Sequence, residues 1–243
     1  MNRREALGLI ATGTVCSVMT PVGTSAVGSS AAPAVPGGVA AGQHRPKPLP
    51  FDPAKLRGVS EKLIVSHHDN NYAGAVKNLN KVEEELARVT ADTPGFVVGG
   101  LKERELTFTN SMILHELYFA NLGGDGQAGG RILKDLGSAF GSIAVWEERF
   151  RATGMTLAGG SGWAILDFNF HTGDLRTYWS GNHTQALVAG QPLLVMDMYE
   201  HAYQMDYGAD AAKYVDAFFK NIHWDEVNRR LERARAAAAA LSA

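Results

Sequence analysis

The sequence predicts an α+β fold in which an N-terminal helical hairpin domain precedes a C-terminal domain with a small three-stranded antiparallel sheet packed by helices. Three observations carry this expectation. Between residues 56 and 122 apolar residues recur three and four apart among Leu, Ala, Glu and Lys, the period of amphipathic helices. From 163 to 196 the texture changes to short runs rich in β-branched and aromatic residues bounded by turn formers. Between the two halves, GGDGQAGG at 123–130 interrupts all periodicity and begins the crossing.

Taken from the N-terminus, Met1 to Glu5 reads MNRRE, and residues 6–22 are uncharged and mostly apolar or small. This is the pattern of an export signal covering 1–26, with small-residue cleavage sites at Thr24-Ser25-Ala26 and, further on, at 32–34. Gly and Thr dilute the apolar run, so no stable membrane anchor is expected after cleavage. Arg3 and Arg4 resemble a twin-arginine signal, which carries already folded proteins to a periplasmic or extracellular location. Residues 27–50 are rich in Ala, Gly, Pro and Ser without periodicity and read as a linker.

The helical domain spans 51–135, with helices at 56–80, interrupted near Ser66, at 81–92 and at 103–122. The second domain, 136–243, starts with a helix at 138–153. Strands follow at 163–170, 175–179 and 192–196, with a turn at Thr172-Gly173-Asp174. Helical pattern returns from Tyr199 to the end, where Ala236–Ala240 makes a good helix former with a frayed terminus.

Composition narrows the chemistry. Among 243 residues, 23 Lys+Arg against 25 Asp+Glu leave a formal charge of −2, which excludes a global basic field for nucleic acid. The single cysteine, Cys16, lies in the export segment, so neither a disulfide nor a thiolate metal site can form within the chain. A metal would be held by the eight histidines with carboxylates. Asp197 and His201 stand four apart where a strand hands over to a helix, a spacing shared by ligand pairs and by surface ion pairs. His115 lies among Ile113, Leu114 and Leu117, where a hydrogen-bonded core histidine is the ordinary alternative. His67 and His68 are adjacent, so on a helix they point about 100° apart and only one can face a given site.

Longer segments carry a resemblance. DMYEHAYQMDY, Asp197 to Tyr207, is similar to the D-[VM]-W-E-H-A-Y segment of the iron/manganese superoxide dismutase family. HHDNNYAGAVKNLN from His67, HELYFANL from His115, the run from Phe140 to Leu166 and AFFKNIHWDEV from Ala217 also resemble that family, covering about residues 51–240. The resemblance implies a metal site of His67, His115, Asp197 and His201, binding Fe or Mn with one ion per chain. It implies superoxide as substrate, a product pair of dioxygen and hydrogen peroxide, and a homodimer or tetramer.

The same alignment marks departures. The family's gateway His and Tyr fall on Asn71 and Ala75, with Tyr72 beside them as a substitute phenol, and the funnel arginine falls on Ala211, with Lys213 the nearest base. The two places that supply a Gln to metal-bound solvent carry Ser111 and His183, of which His183 is the candidate donor. Glu200 and Tyr203 are implied at the subunit interface, Glu200 holding the partner's metal-binding His and Tyr203 meeting the gateway position, Asn71. His68 is then a neighbour of the site, His44 a linker residue, and His171 and His223 surface or structural. The alternative reading is a metal-binding homologue with little or no dismutase activity, because the gateway is altered.

Overall fold

Capping sets where the first helices begin. In the computed structural model, which describes residues 39–241, Ser60 caps α1 (Glu61–Ser66), its hydroxyl accepting the Leu63 N–H at 3.1 Å. The export segment with Arg3, Arg4 and Cys16 lies outside the described residues. After α1 the chain widens into a π-turn, His67–Tyr72, and then tightens into α2 (Ala73–Leu86). The interruption expected near Ser66 is this turn, a change of helical pitch rather than a break.

Two expected helix boundaries move. No boundary separates 80 from 81: Asn80 turns its amide outward, donating to the His44 carbonyl and accepting from the His44 N–H, both at 2.9 Å, so α2 runs through. The chain reverses after Leu86, and α3 (Gly95–Ala120) follows Pro94. Glycines 95, 99 and 100 and the Val97-Val98 pair hide this start in the sequence, and antiparallel packing on α2 overrides their low propensity. Further on, the helix expected at 138–153 is two helices. Gly141, at φ 90°, ends α4 (Arg131–Phe140), and the Ser142 hydroxyl caps α5 (Ile143–Met155).

Because α4 straddles 135 and 136, the division expected there is not a boundary. Ile132 and Leu136 of this helix are buried in one apolar cluster that joins Leu63, Val76 and Tyr118 of the helical half to Trp163, Leu194 and Phe218 of the sheet half. The linker reading also needs correction for its described part. Residues 42–47 lie as a strap against the π-turn and α2, because His44 and Lys47 offer backbone groups to the side chains of Asn80 and Tyr72, and the Lys47 ammonium pairs with Glu116 on α3.

The sheet has the order β2-β1-β3, with β1 (Trp163–Asn169) central and both β2 (Asp174–Ser180) and β3 (Gly190–Asp197) antiparallel to it. Covered on both faces, β1 reads as a nearly continuous apolar run. Helical structure from Tyr199 onward is divided into a 3-10 turn, Glu200–Ala202, and α6 (Gln204–Tyr207), α7 (Ala211–Lys220) and α8 (Trp224–Leu241). Asn121, fully buried at the end of α3, ties the halves together: its side-chain oxygen accepts from Val195 N–H on β3 and its carbonyl from His223 N–H.

One residue sits uneasily in the sheet. Asp167 is 3% exposed, its Oδ1 has no hydrogen-bond partner among the described residues, and its partner in the β3 register is Pro192, which has no N–H to offer. Burial pushes its carboxyl up to about 7 from the ordinary 3.8. An acid raised on folding is harmless below its unfolded value and costs stability as pH climbs through the folded one. Asp167→Asn should therefore stabilise the metal-free protein by about 4 kcal/mol at pH 8 and leave it nearly unchanged near pH 4, read as melting temperature in calorimetry. Equal effects at both pH values would contradict a buried, protonating carboxyl.

Candidate metal centre

Strand β3 ends at Asp197, which is fully buried. Its Oδ1 accepts the Tyr199 N–H at 2.8 Å, and this fixes the carboxylate so that Oδ2 faces three imidazoles. His67 comes from the first position of the π-turn, His115 from the last two turns of α3, and His201 from the 3-10 turn after β3. From Asp197 Oδ2 the Nε2 atoms lie 3.1 Å away for His67, 3.2 Å for His201 and 3.7 Å for His115. The candidate donor atoms all lie within 4.8 Å of one another. Donors that share an ion at about 2.1 Å and subtend roughly 90–120° stand about 3.0–3.6 Å apart, so the cluster has the dimensions of a coordination shell.

Polar satisfaction gives an independent test. Both ring nitrogens of His67 and the Nε2 of His115 are buried without a hydrogen-bond partner among the described residues. Buried polar atoms left so are rare, and here the Nε2 atoms of His67 and His115 face the same Asp197 oxygen. His115 Nδ1 donates to the Ser111 carbonyl at 2.7 Å, which leaves Nε2 as a lone-pair donor. Burial holds His67 below its ordinary range and pushes His115 down to about 3, so both rings are neutral, the state a ligand requires. For Asp197 burial acts upward, but the His201 charge and the contacts from His201 and His67 outweigh it and keep the carboxyl ionised. Three imidazoles and one carboxylate make a nitrogen–oxygen donor set that fits Fe or Mn.

Aromatic side chains wall the cluster. Trp163 meets His115 edge-on at 5.1 Å, and Tyr118 and Phe119 lie 5.2 and 5.1 Å from His67. Tyr199 stacks between His201, at 5.3 Å, and His183, at 4.8 Å. The expected donor His183 is thus brought to the site, 6.3 Å from His115, with its Nδ1 accepting the Trp163 indole N–H at 3.1 Å. Beneath Asp197, Tyr214 donates to its carbonyl oxygen at 2.7 Å. Sequence reasoning passed over Trp163, Tyr199 and Tyr214. The first two stand in the quoted motifs, and nothing local marks the third.

Other expected positions fare differently. Asn71 is half-buried on the π-turn and makes no side-chain hydrogen bond among the described residues. Tyr72 does not serve as a substitute gateway phenol, because its hydroxyl is committed between the Lys47 N–H at 2.8 Å and Glu116 Oε1 at 3.0 Å. Glu200 is exposed beside His201. Tyr203 is corrected: it leaves the 3-10 turn at φ −147°, which carries its ring inward to 1% exposure, and its hydroxyl accepts the Gly159 N–H. A phenol so placed cannot reach Asn71 of another chain.

Comparison with known proteins agrees with this geometry. A family profile described as iron/manganese superoxide dismutases, C-terminal domain, matches residues 128–230. A protein of Cupriavidus metallidurans named superoxide dismutase [Fe] is 50% identical over 189 residues, 77% of this chain and 96% of the relative. Superoxide dismutase [Mn] 1 of Halobacterium salinarum is 36% identical over 77% of this chain and 94% of its own length. Superoxide dismutase [Fe] of Aquifex pyrophilus is 35% identical, covering 82% and 97% respectively. With the three-histidine, one-aspartate cluster at the junction of a helical half and a three-stranded sheet, the chain belongs to the iron/manganese superoxide dismutase family.

Proposed function

We propose that the chain is an Fe- or Mn-dependent superoxide dismutase, converting two superoxide anions and two protons to dioxygen and hydrogen peroxide. His67, His115, Asp197 and His201 would hold one ion per chain. The observation that carries this reading is the convergence of their donor atoms within 4.8 Å, with buried nitrogens that nothing else satisfies. The ion supplies a couple between the +3 and +2 states, which zinc lacks. The residues supply the rest. With an ion bound, three imidazoles coordinating as neutral ligands and a single carboxylate would leave the centre cationic, which attracts an anionic substrate. The walls of Trp163, Tyr199, Tyr118 and Phe119 exclude bulk water and strengthen that attraction. Since His183 Nδ1 accepts from Trp163, its proton rests on Nε2, a donor for solvent or substrate oxygen, and burial keeps the ring neutral. At the gateway place, Asn71 offers an amide that pairs with oxygen but does not relay protons as imidazole does.

A second reading is a metal-binding homologue whose dismutase activity is low. The specific observation in its favour is that Ala75 is buried and Tyr72 is engaged elsewhere, so no phenol stands in for the gateway Tyr. Metal analysis and superoxide consumption on one sample separate the two: bound Fe or Mn without rate enhancement sinks the enzyme. Replacing any one of His67, His115, Asp197 or His201 with Ala should lower metal affinity at least tenfold and abolish dismutation. His171→Ala should change neither. Retained metal in His67→Ala would remove that residue from the shell.

Export is part of the proposal. The MNRRE start and the apolar run behind it support a protein carried out of the cytoplasm by the twin-arginine route, to the periplasm or beyond. Among the described residues no helix is long and apolar enough to cross a membrane. N-terminal sequencing of the mature protein should begin between residues 27 and 35, and replacing Arg3 and Arg4 with Lys should trap the precursor in the cytoplasm. Unaltered export of that variant would leave a general secretory signal instead.

The assembly is proposed to be a homodimer or tetramer in which Glu200 accepts from His201 of a second copy. Its exposure beside the half-buried His201 supports this. Glu200→Ala should weaken both self-association in sedimentation and metal retention, at about 1–3 kcal/mol per unpaired imidazole N–H. A wild-type protein sedimenting as a fully metallated, active monomer would refute the coupling.

A further inference from the structure

Lys47, near the end of the segment that composition reads as linker, touches the two helices that carry His67 and His115. Its N–H donates to the Tyr72 hydroxyl at 2.8 Å, and its carbonyl accepts from His68 Nε2 at 2.7 Å. His68 and Tyr72 bracket the π-turn that His67 opens, and their rings stand 5.2 Å apart, so the backbone N–H and C=O of one residue, Lys47, bridge both ends of the turn. The Tyr72 hydroxyl donates a hydrogen bond to Glu116 Oε1 at 3.0 Å, and Lys47 Nζ pairs with the same carboxylate. Glu116 directly follows His115. Asp69 holds the far nitrogen of His68 at 2.7 Å and so fixes the ring that meets Lys47.

A π-turn is held together less well than an α-turn and persists where its surroundings over-determine it. The strap provides that support from a fixed base. Three residues upstream, His44 is bonded twice to Asn80 and its ring lies 3.1 Å from Glu83, both on α2 and away from the ligands. A cleft of about 120 Å³ lies beside the end of the strap, lined by Pro48, Pro50, Phe119 and Ala120, while Leu49 and Phe51 just beyond it pack on the core. The Lys47 ammonium is largely exposed, so its ion pair contributes little, and the two backbone bonds carry the contact.

We propose that residues 42–47 are a positioning clamp that, through the backbone N–H and C=O of Lys47, sets the spacing of His67 and His115 and thereby slows metal loss. The inference rests on the metal reading above. None of these residues touches substrate; they act through the two histidines.

The test uses the metal-loaded full chain and measures release to a chelator, the Mn(II) electron paramagnetic resonance spectrum, and the melting temperature of the metal-free form. Tyr72→Phe removes the acceptor for Lys47 N–H, and Asn80→Ala loosens the base of the strap without touching a ligand turn. Each should speed release about tenfold and broaden the spectrum, and the double variant should be no faster than the worse single one, because both act on one clamp. Asn80→Asp, which keeps the acceptor for His44 N–H, should fall between wild type and Asn80→Ala. Release at the wild-type rate in Tyr72→Phe and Asn80→Ala overturns the clamp. So does acceleration matched by an equal destabilisation of the metal-free form, which would mark a merely structural role. A wild-type protein that takes up neither Fe nor Mn overturns instead the metal reading, a distinct result.

Discussion

An ionised carboxylate shut away from water, at Asp197, is the constraint around which this chain is arranged. Isolated burial of such a charge costs several kcal/mol even after relaxation. Here every polar atom of the residue that could be left wanting has a neighbour: Tyr199 N–H on one oxygen, imidazoles around the other, and the Tyr214 hydroxyl on the carbonyl. Those neighbours come from the π-turn, from α3, from the segment after β3 and from α7, so satisfying one side chain requires that four separate parts of the chain be in place.

The sheet was legible because its strands announce themselves twice, by β-branched and aromatic content and by turn residues between them. The helix limits were less so. The boundary expected after Asn80 falls on a residue whose side chain faces the strap inside a continuous helix, and the helix expected across Gly141 ends there, at positive φ. In the metal cluster, spacing alone could not decide between His67 and His68, nor lift His115 above a core histidine. What decided was a set of matched segments far apart in the chain, since ligand identity is a property of three-dimensional convergence. Tyr72 and Tyr203 show the limit of carrying roles over by alignment. Each occupies a place next to the site, yet the direction of its hydroxyl follows from local backbone dihedrals and from a nearby partner that no motif encodes.

The strap illustrates a different blindness. Ala, Gly and Pro without periodicity describe a segment unable to form its own helix or strand, which is a statement about backbone regularity. Whether such a segment docks depends on its peptide groups finding side-chain partners. Asn80, Tyr72 and His68 supply them here, on elements that composition assigns to other tasks. Asp167 is the reverse case, a polar residue in a strand that pattern treats as apolar, tolerated because its ordinary ionisation is suppressed by burial.

The spread of the four clustered residues along the chain, from 67 to 201, also has a bearing on how the protein is made. His67 and His115 belong to a local helical pairing that can form early, whereas Asp197 and His201 arrive only when β3 has joined the sheet, a contact of long sequence separation. A nascent chain ending before β3 would present two imidazoles and no carboxylate. The cluster therefore cannot close until the chain has passed residue 201 and β3 has taken its place beside β1.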